Sequence, residues 1–269
     1  MKRWIDRGLL NAVRTPGGHR RVRKEDVQAF LRNQDTAREH SYILSRLMHD
    51  SMAEGWRKYF DLHRAFKHLE ARTYVTGAML ACGSARCTLE DTVIPTLVKI
   101  GDAWQHGELD IADEHRMTFM IRNDLLSLDQ LLPEPSPGAP RVLLACVPEE
   151  NHEIVLQVLA LAAREVGWHP IVLGINVPAR EIIRVAEHEP IDMIALSKTY
   201  PQRDYTGYVR EIRTALGVET PIIVGGAGWS KKERTSLTRL PATAYAPTLR
   251  DMLQRLQRCT AERSPTCIT

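Results

Sequence analysis

No apolar run in this chain approaches the ~20 residues needed to span a bilayer. The chain is charged from its second and third residues, Lys2 and Arg3, and no apolar stretch follows them, so neither a membrane anchor nor a secretory leader is expected. Cysteine is sparse and odd in number: five residues, at 82, 87, 146, 259 and 267, form no disulfide framework and fit a reducing cytoplasm. Cys82 and Cys87 have no second pair to complete a zinc site and read as ordinary thiols. Phosphate-cradling signatures are missing too. There is no Walker sequence, and the glycine run Gly225-Gly226-Ala227-Gly228 lacks the last glycine of a dinucleotide fingerprint and follows a fourth strand, not a first. Internal repeats and low-complexity tracts are absent.

What is present is an ordinary globular composition, 43% hydrophobic and 26% charged over 269 residues. The net charge of +3 is unevenly spread. Residues 1–32 hold nine Lys/Arg against three acids, while the remainder holds 27 against 30. A basic head on a mildly acidic body points to a polyanion-facing surface at the N-terminus.

Three regions separate by pattern. Residues 1–33 read as a short helical piece near Trp4–Leu10, a turn at Thr15-Pro16-Gly17-Gly18, a basic strand at His19–Val22 and a helix from about Lys24. Residues 36–132 have almost no strand signal. Apolar residues recur at helical spacing around Ile43–Met48, Tyr74–Leu80, Val93–Trp104 and Met117–Leu128, which predicts a four-helix bundle with a capping start at Thr88–Asp91 for its third helix. Residues 133–140, with four prolines and a glycine, form a linker. Residues 141–258 alternate. Apolar runs at Val142–Val147, Ile171–Ile175, Ile191–Leu196, Ile222–Val224 and Ala242–Ala246 are interleaved with helices, the first spanning His152–Val166. Such alternation predicts a parallel five-stranded sheet covered by helices, with ligands bound beyond the strand C-terminal ends. Residues 259–269 are a tail, expected to fray.

Candidate chemistry therefore lies in the strand-end loops. The first holds Glu150 two residues before His152. An imidazole there can ligate a metal through one nitrogen while a carboxylate on the other fixes its tautomer. The alternative is a solvated turn before a helix. Gly174 and Asn176 follow the second strand, Ser197 and Thr199 the third, and Gly225 and Gly226 the fourth. Together they place small and hydroxyl groups along one seam, where glycines permit close approach of a large planar ligand.

Residues 141–258 resemble a flavodoxin/Rossmann-like cobalamin-binding domain of the base-off, His-on type, whose pattern of acid-x-His, Ser-x-Thr and Gly-Gly stands here at Glu150/His152, Ser197/Thr199 and Gly225-Gly226. The resemblance implies that His152 is the lower axial ligand of cobalt and that Ser197 and Thr199 line the slot for the displaced nucleotide tail. Val155 replaces the glycine of the first motif. Upstream, Trp104 is followed by nine residues and then Glu114-His115. This spacing resembles the helical cap of light-sensing cobalamin regulators, in which the Trp packs on the upper, adenosyl face and the Glu and His flank it. The other reading of Trp104 is a bundle-core residue. Gln105 stands where relatives often carry a His that captures cobalt after photolysis, leaving His106 and His115 as candidates. Trp56, Tyr59 and Phe60 read as bundle packing or as part of a chromophore pocket.

The head, with Arg3, Arg14, His19, Arg20 and Arg21 as candidate DNA contacts, resembles the end of a MerR-type winged helix-turn-helix: the tail of a recognition helix, then a wing. Most of the recognition helix is missing by that comparison, so phosphate contact is expected to outweigh base readout. The three modules in this order resemble MerR/CarH-like, light-responsive transcriptional regulators. That resemblance implies adenosylcobalamin as cofactor, DNA as partner, a dimer or tetramer, and a repressor rather than an enzyme. A corrinoid carrier for methyl transfer and a tetrapyrrole photoreceptor that no longer binds DNA are the alternatives.

Overall fold

A computed structural model of the chain describes residues 11–14, 20–23, 26, 55–201 and 203–262. It divides into two compact units, Met1–Pro133 and Glu134–Thr269. Arg3, His19, the Trp4–Leu10 piece, the wing turn and the Ile43–Met48 stripe lie outside the described residues. No helix among the described residues is long and apolar enough to cross a membrane.

In the first unit, β1 (Val13–Arg14) pairs antiparallel with β2 (Arg20–Arg21), with Val13 opposite Arg21 and Arg14 opposite Arg20. The second of these strands falls within the basic strand expected at His19–Val22. Among the described residues from 55 on, there are four helical segments in this unit: α1 (Gly55–Arg64), α2 (His68–Cys82), a third helix built in parts, and α5 (Ile111–Asp129). The third begins as α3 (Ala85–Thr88), passes through a π turn at Leu89–Val93 and continues as α4 (Ile94–Gln105).

The expected cap at Thr88–Asp91 is displaced. Ser84 is the N-cap, its side chain accepting the Cys87 N–H, and Thr88 lies inside the helix with its hydroxyl donating to the Ser84 carbonyl. The π turn sits immediately before Pro95, where the Ile94 N–H reaches back to the Leu89 carbonyl. Proline cannot donate the next hydrogen bond and its ring crowds the preceding turn, so a wider turn there relieves the conflict.

Tyr59, Val75, Met79, Leu89, Met117 and Leu128 form the middle of this helical region. Tyr59 and Phe60 are therefore packing residues. A polar knot lies among them. Asp124, 1% exposed, accepts from the Tyr59 hydroxyl (2.7 Å) and from Arg72 Nε (3.0 Å). His63 Nε2 stands 3.2 Å from the same carboxylate, in a geometry that makes no hydrogen bond. Burial, then the adjoining Asp124 charge, raises the Tyr59 phenol well above its usual range.

The second unit is a five-stranded parallel sheet of β3 (Arg141–Cys146), β4 (His169–Gly174), β5 (Met193–Ser197), β6 (Ile222–Gly225) and β7 (Thr243–Ala246), in the order β4-β3-β5-β6-β7. Helices α6 (Ile154–Glu165), α7 (Ala179–His188), α8 (Thr206–Leu216), α9 (Lys231–Leu237) and α10 (Leu249–Glu262) connect or follow the strands. Leu143, Leu144, Ile194, Leu196, Ile222 and Val224 are wholly or almost wholly buried, which is why these strands read as continuous apolar runs. This strand order reverses between β3 and β5, and ligands bind at such a switch point. Cys146 and Ser197 are partners in register at the ends of those two strands, so the loops following them share one crevice.

Candidate functional site

The loop after β3 is built around one carboxylate. Glu150 is 0% exposed. Its Oε2 accepts the Thr199 N–H at 2.6 Å and the Tyr200 N–H at 3.0 Å, both from the loop after β5. Its Oε1 accepts the His152 N–H at 2.9 Å and bonds the His152 ring at Nδ1. Burial alone would raise this carboxyl, but the hydrogen bonds from His152, Tyr200 and Thr199 outweigh it and hold Glu150 at about 2, so it stays ionised. With the carboxylate on Nδ1, Nε2 is the ring nitrogen that could ligate a metal. The His152 side chain is 52% exposed although its partner is sealed away.

His152 was expected at the start of a helix. It lies in the loop instead, because Glu150 takes its N–H, and α6 begins at Ile154. Val155 follows in the first turn of α6, half-buried.

The remaining predicted residues gather at the same strand ends. Asn176, at φ 55°, accepts the Glu149 N–H at 2.6 Å and donates to Asn151 at 2.9 Å, tying the loop after β4 to the loop after β3. Gly174 turns that loop at φ 95°. Ser197 is 3% exposed, and its hydroxyl has no hydrogen-bond partner among the described residues. A buried hydroxyl without a partner is costly, and a polar ligand group in the crevice would satisfy it. The donor set therefore fits a corrinoid: one imidazole with a fixed tautomer, backed by a small buried hydroxyl.

The glycines also permit close approach within the chain itself. A Cβ on Gly226 (φ 99°) would collide with the Lys198 carbonyl, and one on Gly228 would stand 2.5 Å from the Tyr200 oxygen. Their bareness lets the β6 loop close onto the backbone of the β5 loop, and a Cβ on Gly225 would stand 3.2 Å from the Ala246 carbonyl in β7.

In the helical unit, Trp104 sits in the last turn of α4 and is 46% exposed, so it is not a core residue. Residues 106–110 return the chain into α5, whose N-cap Asp110 accepts the Asp113 N–H. The Trp104 and Glu114-His115 motif thus comes together at one end of a helical hairpin. Glu114 accepts from the Thr118 hydroxyl at 3.0 Å and stands 3.4 Å from the His115 ring. His106 holds Nδ1 2.7 Å from the Asp102 carbonyl.

Sequence reasoning missed the buried ion pair of Lys198 and Glu233, 2.7 Å apart with side chains 2% and 4% exposed. Its one legible signal was Ser230 followed by Glu233. That spacing is a capping box, and the structure forms it.

Residues 140–251 match the B12 binding domain family, and residues 1–35 match a helix-turn-helix domain family. The chain is 29% identical over 243 residues to the HTH-type transcriptional repressor CarH of Myxococcus xanthus, covering 82% of this chain and 81% of that protein. It is 25% identical over 245 residues to the repressor CarA of the same organism, covering 85% and 81%. Among solved structures, the monomethylamine corrinoid protein of Methanosarcina barkeri shares the fold over 76% of this chain and 98% of that one, at 15% identity and a TM-score of 0.59. The chain thus combines a helix-turn-helix match at its head with a B12 binding domain match downstream, and it is similar to two HTH-type transcriptional repressors.

Proposed function

We propose that the protein is a light-responsive, adenosylcobalamin-binding transcriptional repressor of the MerR type, cytoplasmic and without enzymatic turnover. The observation that carries this reading is His152, held through Nδ1 by the sealed carboxylate of Glu150 at the sheet's switch point. His152 Nε2 would be the lower ligand of cobalt. Ser197 and Thr199 would line the slot for the nucleotide tail, with Gly174, Asn176, Gly225 and Gly226 shaping its mouth. Trp104 would cover the upper face, flanked by Glu114 and His115. Its half-exposed indole supports this role, since a large rigid plane excludes water where it lies.

When bound, adenosylcobalamin supplies a cobalt–carbon bond that visible light breaks. The protein's part is to favour one conformational state while loaded and another afterwards. A ligand shifts such an equilibrium only by its differential affinity for the two states. The loaded state would be a DNA-binding dimer or tetramer, with Arg14, Arg20 and Arg21 of the hairpin, together with Arg3 and His19, set against phosphates. The regulator match at the head favours this reading over a corrinoid carrier.

An absorbance spectrum of protein reconstituted with adenosylcobalamin, taken before and after green light, tests the proposal. A bound corrinoid whose spectrum changes on illumination is expected, as is loss of the His-ligated spectrum in His152→Ala. No bound corrinoid in the wild type, or an unaltered spectrum in His152→Ala, overturns it.

A further inference from the structure

The loop after β5 is gripped at both ends by buried carboxylates. At its start, Glu150 takes the N–H groups of Thr199 and Tyr200. At its end, Glu233 takes the Tyr205 N–H at 3.1 Å. Between them runs the Lys198 side chain, whose Nζ donates to Glu233 Oε1 at 2.7 Å and to the Arg203 carbonyl at 2.8 Å. That ammonium also stands 5.3 Å from the ring centroids of both Tyr205 and Trp229. Tyr205 closes the circuit by donating its hydroxyl to the Pro148 carbonyl, two residues before Glu150.

We infer that Lys198 and Glu233 are positioning residues for the metal ligand: their buried ion pair clamps the β5 loop so that its two N–H groups hold Glu150, and through it His152, in the ligating orientation. The inference rests on the cofactor reading above. A buried ion pair is a poor means of gaining stability, since apolar residues of the same volume usually do as well or better. Its geometry is what it contributes, because each partner has directional acceptors or donors to fill. Here all of them lie on the segment that reaches Glu150, or on the Ser230 cap that fixes Glu233 in place, where Glu233 Oε2 accepts the Ser230 N–H at 2.8 Å. The glycines at 226 and 228 belong to the same device, as they leave no gap into which the loop can relax.

Amide hydrogen exchange and adenosylcobalamin titration of the full chain test this together. Lys198→Met with Glu233→Gln removes the charges and keeps the volume, so the fold is retained. Glu233→Gln alone keeps an acceptor for Lys198 and for the Tyr205 N–H. The double variant should speed exchange at Thr199 and Tyr200 by tenfold or more while the amides of β3 and β5 hold. It should also weaken adenosylcobalamin binding by about tenfold and reduce the fraction showing the His-ligated spectrum. Glu233→Gln should fall between it and the wild type. Unchanged exchange at those two amides overturns the inference, and so does faster exchange with undiminished binding. If the wild type binds no adenosylcobalamin, it is the cofactor reading that fails, and the exchange rates alone then decide whether the clamp holds the loop.

Discussion

Glu150 shows how one side chain fixes the orientation of a histidine. Its carboxylate is wholly buried yet ionised, because four N–H donors from three residues converge on it. Its folded-state value is depressed from the ordinary 4.5 to about 2, so it contributes stability above about pH 4.5, and that contribution is lost as the pH falls towards 2. Glu150→Gln should therefore destabilise the α/β unit at pH 7 by on the order of 2–3 kcal/mol. Urea unfolding at a series of pH values checks this, and the gap between variant and wild type should narrow steadily below pH 4.5. A gap independent of pH would mean that packing, not charge, is what the glutamate supplies.

At the scale of elements, the crevice is made by strand order and closed by glycine. β3 and β5 are neighbours although β4 lies between them in the chain, so the loops carrying His152 and Thr199 meet although 47 positions apart. The β6 loop then packs on the β5 loop with no room for a Cβ at Gly226, whose φ of 99° also strains any other residue. Gly226→Ala should cost about 2 kcal/mol or more in chemical denaturation and weaken adenosylcobalamin binding by about tenfold. Equilibrium titration followed by absorbance reads the second effect. In the helical unit, Pro95 determines where the third helix widens into its π turn, and the hairpin between α4 and α5 brings Trp104 to the same end as Glu114 and His115.

For the whole molecule, the uneven charge and the three-module order carry the functional reading. The basic head, net +6 over residues 1–32, carries charge that would neutralise phosphates. Replacing Arg20 and Arg21 with Ala should weaken DNA binding nearly uniformly across sequences. The slope of log affinity against log salt should become shallower by about one for each arginine. Gel shifts over a salt series measure both effects. An effect confined to one operator sequence would assign these residues to base readout instead.

Much of this was legible beforehand. The five strands were recognisable within a residue or two: β3, β5 and β6 are covered on both faces and apolar along nearly their whole length, and the edge strands β4 and β7 keep short apolar stretches. The residues of the crevice were legible from local motifs: Glu150 and His152 are two apart, and Ser197 and Thr199 likewise. The Gly225-Gly226 pair was legible as a place of close approach, and the structure adds the chain's own backbone as a close neighbour. The start of α6, the Ser84 cap and the π turn were not legible, because each depends on which hydrogen bond wins locally. Least legible was the pairing of Lys198 with Glu233, 35 positions apart. Sequence alone determined the alternation of elements and which candidate side chains stand at the strand ends, because both follow from local periodicity and spacing. Only the tertiary structure decided which N–H groups surround Glu150 and which loop clamps them, because those contacts join segments that the chain order keeps apart.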